Sequence, residues 1–119
     1  MKEKILAALM RPIQEVGLPI KAVNALRGRR PPVIFLGDLA LISERELYRS
    51  TVRLGPVFMG RIKAILSEHS LALGMDLDSD LVDQFQVDSR LETARLLRER
   101  IAELIREAEA REGGPGPTY

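Results

Sequence analysis

The residues best equipped for chemistry in this sequence are cations grouped around a glycine. In the stretch Leu54-Gly55-Pro56-Val57-Phe58-Met59-Gly60-Arg61-Ile62-Lys63, a glycine stands directly before a proline-led helix start. A glycine lets the backbone turn tightly and approach a phosphate, while the free amides and positive dipole end of the new helix hold the anion. Arg61 and Lys63 add formal charge within the following turn. Upstream, Lys21, Asn24 and Arg27 recur every three residues along the outward face of an expected helix. Arg29 and Arg30 carry the basic run into a stiff Pro31-Pro32 loop.

No catalytic set accompanies these cations. The lack of cysteine excludes Cys/His nucleophile systems, disulfides and thiolate metal sites, and with a single histidine in the chain no Ser/His/Asp set and no enzyme is expected. His69 falls near a helix end and reads as a C-terminal cap. Asp76, Asp78, Asp80 and Asp83 are spaced like a calcium loop but lack its central glycine and terminal glutamate. They read as an acidic connector, and neither a metal nor a cofactor is expected. No Walker-type lysine follows Gly55.

The 119 residues suit one domain plus an extra element, and a 45% hydrophobic content with only 4% aromatics calls for an aliphatic core. Net charge is +1, but its distribution is uneven: residues 1–63 hold 12 Lys/Arg against 5 Asp/Glu, and residues 64–119 hold 6 against 12. That asymmetry suits a basic module for an anionic partner followed by an acidic element; two unlike solvated surfaces are the plainer alternative. No apolar run approaches the ~20 residues of a membrane helix, and the charged start does not resemble a secretory signal. A cytoplasmic protein without membrane attachment is expected.

The pattern predicts an all-α fold: a compact four-to-five-helix domain with a helix–hairpin–helix-like motif, plus a long C-terminal helix. Residues 1–10 form an N-terminal helix. Pro19 opens a second at its first position and Gly28 stops it. Residues 33–41 make a buried approach into a short helical turn, with Gly37-Asp38 breaking any strand. Ser43 and Glu46 form a capping box, as do Ser89 and Glu92. Residues 78–89 read as the acidic connector, 90–112 as an amphipathic helix and 113–119 as a loose tail. The spacing Ala94, Leu97, Ile101, Leu104, Ala108 is a short heptad seam. It fits either packing on the chain's own domain or homodimerisation through Leu97, Ile101 and Leu104.

Residues 11–77 resemble the C-terminal domain of the bacterial RNA polymerase alpha subunit. The segments RPIQEVGLPIKAVNAL, FLGDLALISERELYRS and LGPVFMGRIKAILSEHSLALGM carry the likeness in one order, and the serine-leucine-x-leucine-glycine-methionine phrase is its most distinctive part. The polymerase-assembly domain is absent, so the chain resembles a stand-alone relative. The resemblance implies an all-helical fold that grips the DNA minor groove at A·T-rich sequence and touches RNA polymerase sigma factors and activators. By position, Lys21 falls where the family has its groove-inserting arginine, Asn24 matches the family asparagine and Gly55 the phosphate-facing glycine. Ala25 is a tolerable replacement beside Asn24. Val57 and Phe58 stand in place of a Lys-Ser pair, and Arg61 in place of a glutamate. Extra length at Gly28–Pro32 brings Arg29 and Arg30.

Two functional readings follow. In one, Arg27, Arg29, Arg30, Arg61 and Lys63 redistribute the phosphate contacts, giving DNA binding that is less sequence-selective and strongly salt-dependent. In the other, Val57 and Phe58 form an apolar patch and the face docks a protein of the transcription machinery. Core burial is the plainer fate of Phe58, since 58, 62 and 65 share helical spacing. Glu15 lies where the family presents acids toward sigma, while Gly17 has lost a second one.

Overall fold

Helix boundaries fall where local chemistry sets them. The computed structural model describes residues 2–51 and 55–112. Its helices are α1 (Lys2–Leu9), α2 (Ile20–Arg27), α3 (Leu36–Ala40), α4 (Glu44–Ser50), α5 (Pro56–Glu68) and α6 (Ser79–Glu112), with a 3₁₀ turn at Ile13–Glu15. The fold is all-α. Pro19 is the N-cap of α2, one position earlier than expected, and Gly28 closes the helix by donating to the Asn24 carbonyl. Ser43 Oγ accepts the Glu46 amide to open α4, and Gly55 precedes Pro56 at the start of α5. His69 is the C-cap of α5, and its Nδ1 lies 3.0 Å from the Ile65 carbonyl.

The chain divides into residues 1–86 and residues 87–119. In the first unit α3 is central: Leu36, Gly37, Leu39 and Ala40 are all buried, and α1 packs on it. Fully buried Leu9, Ile13, Leu26, Val33, Phe35, Leu47, Ile62 and Leu66 complete an aliphatic core around Phe35. The stretch before α3 makes one antiparallel bridge, Pro12 with Phe35. The Ile13 amide donates to the Ile34 carbonyl at 3.0 Å and the Leu36 amide to the Arg11 carbonyl at 2.9 Å. Gly37 and Asp38 lie inside α3, so residues 33–41 run into a short buried helix and not a strand, as expected. The Asp38 carboxylate accepts the Ile34 and Phe35 amides, each at 3.0 Å, and so fixes the helix start.

The largest departure from expectation is at residues 78–89. Their acidic character suggested a connector, yet α6 begins at Ser79 and runs without a break through Ser89 and Glu92, so no second capping box forms. Glu92 hydrogen-bonds Arg95 instead. The reason is the apolar pair Leu81 and Phe85, one helical turn apart, which is buried in the core while the aspartates stay outside. The Phe85 ring meets Phe35 edge to face at 6.5 Å between centroids. It also covers Gly37, where an added Cβ would lie 2.4 Å from the ring. The compact unit therefore extends beyond residues 11–77 at both ends. Among the described residues no helix is long and apolar enough to cross a membrane.

Residues 87–111 of α6 have the opposite character. Val87, Leu91, Leu97, Ile101, Leu104 and Ile105 are all exposed. Arg95 bridges Glu92 and Glu99 along the helix surface, and Arg100 bridges Glu103.

Candidate nucleic-acid interface

The inner face of α2, formed by Ala22, Val23 and Leu26, is buried, and this turns Lys21, Asn24 and Arg27 outward. Three-residue spacing on a helix gives both consequences at once. Lys21 and Asn24 have no side-chain partner among the described residues. Arg27 leans back to donate to Gln14 Oε1 at 3.3 Å, and both groups are exposed. Ile20, next to Lys21, is 74% exposed.

The two loop arginines part company. Arg30 is exposed and donates to the Arg29 carbonyl at 3.2 Å. Arg29 is only 7% exposed, which overturns its assignment as a phosphate contact. Its Nε donates to Ser50 Oγ at 2.6 Å and its Nη1 to the Pro31 carbonyl at 3.0 Å, while Nη2 lies 3.8 Å from Glu46. Ser50 in turn donates to the Glu46 carbonyl at 2.7 Å. A guanidinium has several donors in a fixed fork, and a buried one must satisfy them within the protein. Arg29 is thus a positioning residue: it ties the chain just after α2 to the last turn of α4, five residues before Gly55.

At the start of α5, Gly55 is half-buried, no side chain caps the helix, and an added Cβ would meet nothing within 4 Å. The Met59 amide bonds the Gly55 carbonyl at 3.1 Å, closing the first turn behind the leading amides. Residues 52–54, where the sequence places the start of the hairpin motif at Leu54, lie outside the described residues. Val57 is 72% exposed, whereas Phe58 packs partly buried against the core. The two therefore do not form one apolar patch. Met59, Ile62 and Leu66 point inward and share the core with Val23 and Leu26 of α2. Arg61 is exposed with no described partner. Lys63 is also exposed, but its Nζ sits 2.6 Å from Glu44 Oε1 of α4. An exposed pair of this kind is weak and exchanges readily with a competing anion.

Glu15 is exposed on the 3₁₀ turn. Gly17 has φ of +88°, a conformation that side-chain-bearing residues adopt only with strain, so an acid is disfavoured there by the turn itself. On α4, Glu44, Arg45, Tyr48 and Arg49 line a shallow surface depression to which the sequence reading assigned no role. Among the described residues no group of three His, Cys, Asp or Glu side chains gathers as a metal site. Burial pushes the Asp38 carboxyl above its ordinary value, against the opposing pull of the Phe35 and Ile34 amides and of Arg29. No protein-family model matches the chain.

Proposed function

We propose that residues 11–77 form a DNA-binding module of the transcription machinery, related to the polymerase alpha C-terminal domain, which holds the phosphate backbone along a minor groove. The observation that carries this reading is the outward ridge of α2. Lys21 and Asn24 stand there unpaired, and the Arg29–Ser50 tie joins the end of that helix to the segment leading into the uncapped, glycine-led start of α5. Lys21 supplies charge, Asn24 a donor and acceptor, and the leading α5 amides an anion cradle. Arg27, Arg30, Arg61 and Lys63 add a diffuse cationic field. Lysine at position 21 lacks the planar fork that narrow grooves favour, so discrimination between A·T-rich and G·C-rich duplexes is modest.

The test is salt-titrated binding to duplexes of both compositions. Affinity should fall steeply with salt, and Lys21→Ala with Asn24→Ala should weaken binding to both duplexes and lower the salt slope by about one. Absence of binding at ~50 mM salt, where the electrostatic attraction is strong, rejects the reading. The exposure of Ile20, next to Lys21, and of Val57 in the first turn of α5 favours one alternative: a face that docks RNA polymerase or a sigma factor. A protein that binds neither duplex but retains a polymerase component, and loses it on Val57→Asp, would establish that alternative.

A further inference from the structure

We propose that residues 87–111 pair with the same segment of a second copy of this chain, and that the two helices run antiparallel. The seam is aliphatic and open to solvent: Leu97 is 59% exposed, Ile101 55% and Leu104 46%. With Val87, Leu91 and Ile105 it makes a face wider than a bare heptad stripe, as in helices that bury themselves in a bundle. A helix surface of this kind gains little stability alone and is satisfied by apolar cover.

Charge selects the occupant and its direction. Residues 90–100 carry four arginines and two glutamates, whereas residues 101–112 carry four glutamates and two arginines. A parallel pair would set arginine-rich against arginine-rich and glutamate-rich against glutamate-rich. An antiparallel pair sets each against its opposite. It also relieves carboxylates such as Glu107 and Glu109, which lie near the negative end of their own helix dipole. In the register that places Ile101 against the partner's Leu104, and Leu97 against the partner's Ala108, Arg100 flanks the partner's Glu107 on both sides of the two-fold axis. Large faces small at the ends and aliphatic faces aliphatic at the centre. Arg100 now holds only an exposed bridge to Glu103 in its own helix at 3.1 Å, which leaves it able to turn to a partner.

The chain has no cysteine, so introduced ones report cleanly. Light scattering and sedimentation of the full chain at ~50 µM should give twice the chain mass, and Ile101→Glu should give a monomer of unchanged core stability, by mass action on an interface outside the core. Arg100→Glu should weaken association about tenfold or more, and Arg100→Glu with Glu107→Arg should restore it. Positions 100 and 107 are two turns apart and do not touch within one helix, so recovery reports the partner. Mixed Leu97→Cys and Ala108→Cys chains should cross-link to each other on oxidation, whereas Leu97→Cys alone should not. A monomer at this concentration, a dimer indifferent to Ile101→Glu, a failed charge swap, or cross-linking of Leu97→Cys with itself would each overturn the proposal.

Discussion

Residues 2–86 and residues 87–111 use the same aliphatic residues to opposite effect. In the first unit, leucines and isoleucines from six helices disappear into a core around Phe35, and the charges left outside are turned outward by that burial. In the second, leucines and isoleucines at helical spacing stay in solvent along a single helix. The lesson is that an apolar pattern fixes which face of an element seeks cover, but the supply of neighbouring elements decides whether cover comes from the same chain. Phe85 marks the boundary. Two residues before Val87 it is fully buried, because Gly37 leaves room for its ring.

That contrast can be broken in graded steps. The largest effect is expected from Phe85→Ala, which empties a buried aromatic site and should cost about 3–5 kcal/mol in denaturant unfolding. Equal stability of the variant would mean that the start of α6 is not part of the core. Gly37→Ala should cost about 1–3 kcal/mol by forcing the ring away, and pairing it with Phe85→Ala should remove most of that penalty. Asp38→Ala leaves the Ile34 and Phe35 amides without their acceptor and should cost about 1–3 kcal/mol, with Asp38→Asn milder because both amides bond one oxygen, Oδ2, which an amide oxygen can replace.

Asp38 also predicts a sign for pH. Its folded-state value is raised, so the folded chain retains a proton that the unfolded chain has lost. The associated stability is fully present below the unfolded value and is lost as pH rises through the raised one. Asp38→Asn should abolish that part of the decline, as read from unfolding curves across the carboxylate range. Smallest of all, Ile101→Ala should change the unfolding free energy of the monomer by no more than about 0.5 kcal/mol, the range of surface substitutions. A larger loss would place that residue inside the core system.

Much of this fold is legible in the sequence because its helix ends are written in local chemistry: Pro19 and Gly28 around α2, Ser43 at α4, Gly55-Pro56 at α5 and His69 at its end. The start of α6 was hidden because five aspartates between positions 76 and 88 look like a connector, and only the tertiary site over Gly37 makes Leu81 and Phe85 helical core residues. The candidate interface divides in the same way. Outward Lys21 and Asn24 follow from spacing alone. The fate of Arg29 does not, since its burial depends on Ser50, twenty-one residues away. Nothing local distinguishes it from its exposed neighbour Arg30. Val57 and Phe58 diverge because adjacent helical positions point about 100° apart, which is enough to send one to solvent and the other to the core.

The most direct measurement is amide chemical-shift mapping of the full chain during titration with a short A·T-rich duplex at low salt. The proposed interface predicts salt-reversible shifts concentrated at residues 21–30 and 55–61, with the exposed seam at 97–104 unmoved. Shifts confined to the Arg45–Arg49 surface of α4, or none at all, would contradict it.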